Sequence, residues 1–283
     1  MAKIISFINM KGGVGKTTLA VNVAYALAYF NKKRVLLVDV DPQFNSTQYL
    51  ITPEDYLKYV EDDQRLTVFD VFQGVPLFMP TTVGQGRKEV RPAPTLENTT
   101  IHIFEGNDGK LDLLPSALEL MTLEYSDRGT ENMLDVFLHS VESAYDIIIL
   151  DCPPTTSIFT VSAYIASQAF LIPVIPDYLS SVGLSLIDSA VAYYKLRFRK
   201  SVKLLGVVFN AVNSSYTLDK DVMQSIKASG RPVFKNYLRR STRIAKAVRA
   251  HQPIFLYHES KEDHGADIRK LTEELIEKLG DGD

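Results

Sequence analysis

The 283-residue chain contains one cysteine, no tryptophan and five histidines. A lone cysteine, Cys152, forms no internal disulfide, so a disulfide scaffold is excluded and a reducing compartment suits the chain. Long apolar runs are also missing: a membrane-spanning helix needs about 18 consecutive apolar residues, whereas the best runs here, 146–150 and 169–175, have the length of strands. One lysine, a short apolar segment and no small-residue cleavage pattern at the N-terminus argue against a secretory leader. There is no internal repeat.

What is present is ordinary globular material, 46% hydrophobic and 23% charged, which excludes a largely disordered or collagen-like chain. The length permits one large α/β domain or two smaller ones. A net charge of −3 hides an asymmetry. Between Lys195 and Arg249 there are fourteen basic and two acidic residues, a local +12, so the remainder carries −15. Such a basic block points to a polyanion-binding face.

Near-continuous apolar segments at 3–9, 35–40, 146–151, 170–175 and 204–210 read as strands covered on both faces. Helix-length stretches at 16–30, 130–143, 155–167 and 180–196 lie between them. This alternation predicts an α/β fold, a doubly wound and mostly parallel sheet flanked by helices. Residues 74–110, with Pro76, Pro80, Pro92, Pro94 and five glycines, read as an irregular insertion with one strand near 100–104. Because this stretch lies between motifs that must meet in space, the whole of 1–283 is expected to be a single domain.

Directly after the first strand comes Lys11-Gly12-Gly13-Val14-Gly15-Lys16-Thr17-Thr18. Glycines at these positions let backbone N–H groups converge on phosphate oxygens, and the following helix adds the positive end of its dipole. Lys16 is placed to reach the β- and γ-phosphates of a nucleotide and the Thr17 hydroxyl to bind Mg²⁺. Asp39 and Asp151 close two further strands, where a carboxylate beside a phosphate loop grips Mg²⁺-bound water. Asp41 stands two residues beyond Asp39, and Asp-Pro with Pro42 is also a turn signal.

The usual P-loop, GxxxxGK(S/T), has glycine where this chain has Met10, and an extra lysine stands at position 11. This pattern resembles the deviant Walker A ATPases, in particular the ParA/Soj branch of the ParA/MinD family. The segment 36–43 (LLVDVDPQ) is similar to the family's second motif, 147–154 (IIILDCPP) to its Walker B and switch II, and 238–254 (LRRSTRIAKAVRAHQPI) to its C-terminal signature. At Lys246 many relatives carry an acidic residue, and His251 stands where the family has glycine.

The resemblance implies a P-loop fold, ATP and Mg²⁺ as cofactors, and partner-stimulated hydrolysis. By it, Lys11, Lys16 and Asp41 are catalytic: Lys11 crosses into the site of a second subunit and Asp41 orients the attacking water. Residues 11–18 hold the nucleotide, and Thr17, Asp39 and Asp151 hold the metal. Asn210 either hydrogen-bonds adenine, as the family's asparagine does, or simply caps a turn. The implied partners are a homodimer in ATP, non-specific double-stranded DNA and a ParB-like or other adaptor, in a cytoplasmic, nucleoid-associated protein that moves or positions cargo. Candidate DNA contacts are Arg197, Arg199, Lys200, Lys227, Arg239, Arg240, Arg243, Lys246 and Arg249, with 239, 243, 246 and 249 at helical spacing and without acidic partners in the window.

Two rival classes are weighed. A MinD-like membrane switch carries a basic amphipathic last helix; here the stripe Ile268, Leu271, Leu275, Ile276 and Leu279 is flanked by Glu273, Glu274 and Glu277 and reads as core packing, so no stable membrane association is expected. An electron carrier resembling nitrogenase reductase needs two cluster-ligating cysteines per subunit, and the chain has one.

Overall fold

The computed structural model describes residues 1–74, 92–125, 129–257 and 264–280. In chain order, β1 (Lys3–Phe7), α1 (Lys16–Tyr29), β2 (Arg34–Asp39), α2 (Asn45–Leu50), α3 (Pro53–Glu61) and α4 (Val68–Gln73) come first. They are followed by α5 (Leu96–Thr99), β3 (Ile101–Gly106), β4 (Gly109–Leu114), α6 (Met133–Val141), β5 (Ile147–Asp151), α7 (Ile158–Ala166) and β6 (Ala169–Val174). The chain continues through α8 (Ser180–Phe198), β7 (Lys203–Phe209), α9 (Thr217–Ala228), α10 (Arg243–Arg249) and α11 (His264–Gly280).

Seven strands form one sheet in the order β3-β4-β2-β5-β1-β6-β7, parallel throughout except for the edge strand β3, which runs antiparallel to β4. Alternate residues of each strand face opposite layers, as the pleat requires. Ile4, Leu36, Val38, Ile148 and Leu150 pack under α4, α6, α7, α8 and α9, while Ile5, Phe7, Val35, Leu37 and Ile149 pack under α1, α2, α10 and α11. With both faces covered, the strands must be apolar on both, which is why β1, β2, β5, β6 and β7 read as continuous runs.

The antiparallel hairpin is where expectation and structure part. One strand was anticipated at 100–104; the structure has β3 and also β4, which lies inside the sheet beside β2. Asp112 interrupts the apolar pattern of β4 yet is 2% exposed. It is tolerated because Lys110 Nζ and the Tyr145 hydroxyl donate to it at 2.8 and 2.7 Å, which offsets the cost of burying a carboxylate. The expected insertion therefore contributes sheet at its C-terminal end, while 75–91 lies outside the described residues.

The last helix also differs in detail. Ile268, Leu271 and Leu275 are fully buried in the layer that contains α1, and Ile276 and Leu279 pack against it. Glu274, expected on a polar face, is buried and accepts from the backbone N–H groups of Lys235 and Asn236 and from the Asn236 side chain. The stripe is core packing, and among the described residues no helix is long and apolar enough to cross a membrane.

Candidate nucleotide and metal site

Strand register sets the site. Phe7 of β1 pairs with Asp151 of β5, and Asp151 pairs with Asp39 of β2, so three strands end at one level. At this edge β1 sends the chain toward β2 on one side and β5 sends it toward β6 on the other, the crevice in which open α/β sheets bind ligands.

From β1 the chain enters the loop. Asn9, buried, uses both ends of its amide: Nδ2 donates to the Pro173 carbonyl of β6 at 2.6 Å and Oδ1 accepts from Lys11 N–H at 2.9 Å. Gly13 and Gly15 take φ of +75° and +79°, the left-handed region open to glycine. Gly15 has a second constraint, since a Cβ there would lie 1.9 Å from Asn210 Nδ2. No side chain caps α1, whose first residue is Lys16; its first N–H groups are left to an external acceptor, the arrangement that suits phosphate.

Three carboxylates gather at these strand ends, and two of them, Asp151 and Asp41, act on Lys16. Asp39 is fully buried, accepting from Thr47 N–H and Oγ1 on one oxygen, both at 2.8 Å, and from Asp41 N–H at 3.2 Å on the other. Asp151, also fully buried, accepts from Ser46 Oγ at 2.8 Å on Oδ2 and from the Thr17 hydroxyl. Its Oδ1 has no hydrogen-bond partner. Asp41 is held by Gln43 N–H at 2.9 Å.

The electrostatics are unbalanced. Burial, reinforced by the charge of Asp151, holds Asp39 well above the usual carboxylate range. Burial also raises Asp151 against the opposing effect of its hydroxyl donors and Lys16, and raises Asp41 despite the Gln43 N–H. Lys16 is lowered by burial, with Asp151, Cys152 and Asp41 opposing. One ammonium among three buried carboxylates leaves a surplus of negative charge, and a buried carboxylate oxygen without a donor is a costly arrangement that a cation relieves. The donor set fits Mg²⁺: Thr17 and Asp151 are adjacent, Asp39 is one strand away, and hard oxygen ligands suit this ion. Among the described residues no three His, Cys, Asp or Glu side chains form a metal cage, as expected for an ion that takes other ligands from a phosphate.

The remaining expected residues are placed as follows. Lys11 does not turn toward the loop's own cradle: its ammonium is hydrogen-bonded to Asp177, whose other oxygen accepts from Leu179 N–H and Ser180 Oγ at the start of α8. Asn210, buried, donates to the Val14 carbonyl at 2.8 Å and accepts from Ala211 N–H at 2.8 Å, so it braces the loop directly. Asn9, Ser46, Thr47 and Asp177 were not anticipated. A pair of hydroxyls at 46 and 47, five and six residues past Asp41, was the one available signal.

The basic residues do not form one face. Arg197 lies in the last turn of α8 and Arg199 and Lys200 follow it, beside the start of β7, whereas Arg239 pairs with Val212 beyond the end of β7. Seven residues of strand separate the two groups, a span of roughly 20 Å. Lys200 is engaged with the Ile165 carbonyl at the end of α7. Arg239 is outside α10, and its Nε donates to Asp267 of α11 at 2.8 Å. The expectation that Arg239 has no acidic partner is thus corrected: the acid comes from α11, outside the basic block 195–249. Arg240, Arg243, Lys246 and Arg249 are exposed on and before α10, and Lys227 lines a groove of about 310 Å³ with Lys220 and Tyr237.

Comparison with known proteins agrees with this geometry. A family model described as an AAA domain matches residues 2–204. The sporulation initiation inhibitor protein Soj of Bacillus subtilis is 32% identical over 261 residues, covering 91% of this chain and 92% of its own. Among solved structures, cobyrinic acid a,c-diamide synthase of Mycobacterium smegmatis with bound ADP and magnesium superposes with a TM-score of 0.75 at 22% identity, covering 100% of this chain and 97% of its own. A putative plasmid partition protein of Borrelia burgdorferi bound to AMPPNP gives 0.75 at 19% identity, covering 98% of this chain and all of its own. Fold and site define a P-loop nucleotide-binding protein. More narrowly, the chain belongs to the ParA/MinD-type P-loop ATPases, with Soj among its relatives.

Proposed function

We propose that this chain is a partition or positioning ATPase that binds Mg-ATP, pairs face to face with a second copy, binds duplex DNA without sequence preference, and lets go when an adaptor accelerates hydrolysis. The observation that carries the reading is the convergence of Lys16, Thr17, Asp39, Asp41 and the half-satisfied Asp151 at the mouth of a glycine loop. A structural neighbour named as a putative plasmid partition protein and bound to AMPPNP, a neighbour solved with ADP and magnesium, and the relative Soj support it.

In this reading the loop N–H groups and Lys16 grip the β- and γ-phosphates, while Thr17 and Asp151, with Asp39 behind them, hold Mg²⁺. The cation supplies neutralisation of charge at the phosphates. Asp41, buried and raised, orients the attacking water. Lys11 is not spent on its own loop but sits on Asp177 at the surface of the site, available to a facing subunit in the manner of an arginine finger. Exposed Val182, Leu186, Tyr193 and Leu196 along α8 offer an apolar stripe for a ParB-like or other adaptor. Arg240, Arg243, Lys246 and Arg249 meet the DNA backbone, which implies a cytoplasmic, nucleoid-associated protein.

With ATP and Mg²⁺ at low salt, purified protein should retard random-sequence duplex DNA, with affinity falling by orders of magnitude as salt rises. Lys16→Ala should abolish the shift. Absence of a shift in the unaltered protein, or an equal shift with Lys16→Ala, would end the proposal.

A further inference from the structure

The helix with the exposed basic residues is tied to the helix that holds the metal carboxylates, and the direct tie runs through one side chain. Consecutive residues of α2 serve the site: Ser46 donates to Asp151 and Thr47 to Asp39. The next residue, Gln48, lies in the last turn of α2, where carbonyls lack intrahelical partners. Its carbonyl oxygen is 3.0 Å from Nδ1 of His251. A carbonyl can only accept, so Nδ1 carries the proton and donates in either charge state of the ring.

His251 is also the residue that ends α10. It takes φ of +51°, and its N–H donates to the Val248 carbonyl at 3.0 Å while Gln252 N–H donates to Ala247 at 3.1 Å. This is the left-handed turn that stops a helix, occupied by a non-glycine residue at some conformational cost. A second connection runs alongside. Asn22 of α1, fully buried, donates to the Tyr49 hydroxyl of α2 and to the Thr18 carbonyl, and accepts from Ile254 N–H at 2.7 Å. The stretch 251–254 therefore touches the nucleotide loop's helix and α2, whose hydroxyls hold the carboxylates, within five residues of leaving α10.

We infer that His251 is a positioning residue that couples occupancy of the nucleotide site to the DNA face, by fixing α10 to α2. Movement of Ser46 and Thr47 as Asp151 and Asp39 take up a cation is passed to Gln48 and through His251 to Arg243, Lys246 and Arg249. The inference rests on the DNA-binding reading above. Gln48 contributes only its main-chain carbonyl, so its exposed side chain has no part in the coupling.

The experiment is a linkage square on the full chain, with a non-hydrolysable ATP analogue plus Mg²⁺, ADP plus Mg²⁺, and a random-sequence duplex. In the unaltered protein the factor by which the analogue strengthens DNA binding over ADP should equal the factor by which DNA favours the analogue over ADP, because coupling is reciprocal. His251→Gly keeps the positive φ without strain and removes the ring. It should cut both factors at least fivefold, with analogue affinity in the absence of DNA, self-association in the analogue and melting temperature unchanged. Gln48→Ala should leave both factors intact. If His251→Gly preserves the factors, or lowers nucleotide affinity, self-association or melting temperature instead, the coupling role is overturned. Failure of the unaltered protein to bind DNA in any nucleotide state would instead remove the underlying reading.

Discussion

Asp39 and Asp112 are both buried aspartates within strands, but they were not equally legible. Asp39 closes an apolar run and stands near a glycine loop, so its chemistry could be read from its position. Asp112 interrupts a run, and although Lys110 stands two residues away, the Tyr145 hydroxyl that donates to it is 33 residues away; a sequence does not display such a partner. The same holds for Ser46 and Thr47, whose role depends on α2 folding back over two strand ends. Gly15, by contrast, was legible as a loop glycine, and the structure adds why no other residue fits. Gly15→Ala places an L-residue at φ +79°, which costs about 1–2 kcal/mol, and drives Cβ into Asn210 Nδ2. Nucleotide affinity should fall at least tenfold by calorimetry. Adding Asn210→Ala should recover the part of the stability loss due to the clash and leave the backbone part in place; full recovery would mean the φ constraint is unimportant.

Among the elements, β1, β2, β5, β6 and β7 and the long helices were readable because burial on both faces writes a continuous apolar run. The inner strand β4 was not, since Asp112 breaks its apolar run, whereas its half-buried antiparallel partner β3 lies where one strand was expected near 100–104. Helix α11 was readable as core by its stripe, yet Glu274 was misjudged. In an amphipathic helix a glutamate among polar neighbours is expected to face water, but here the backbone of 235–236 passes over it and needs an acceptor. Glu274→Ala should therefore lower unfolding stability by about 2 kcal/mol, the range for hydrogen bonds to a charged group. It should do so as a fall in denaturant midpoint with the slope unchanged. The neighbouring Glu273, exposed and paired only with Arg269 four residues earlier, should change stability by less than about 0.5 kcal/mol when replaced by alanine. Equal effects would mean that Glu274 acts only as a surface charge.

For the whole molecule, the distribution of charge matters more than its sum. The +12 block is real in the sequence, but folding divides it. Asp188 and Asp267, both outside the block, take up Arg231 and Arg239, and Lys200 closes the end of α7. The cations exposed around α10 stand at the end of the sheet where the nucleotide loop lies, joined to it through His251 and Asn22, whereas Arg197 and Arg199 stand at the other end. The proposed DNA face, governed by nucleotide, is assigned to the first group. Each phosphate contact contributes about −0.9 to the slope of log affinity against log salt. Arg243→Ala should thus make the slope shallower by about one unit, while the double change Arg197→Ala and Arg199→Ala should leave it unaltered. Arg239→Ala should lower the melting temperature and not the slope, since its charge is spent on Asp267. A fall in slope from the Arg197 and Arg199 pair equal to that from Arg243 would show that DNA runs along the full height of the sheet, and the assignment of one end would be wrong.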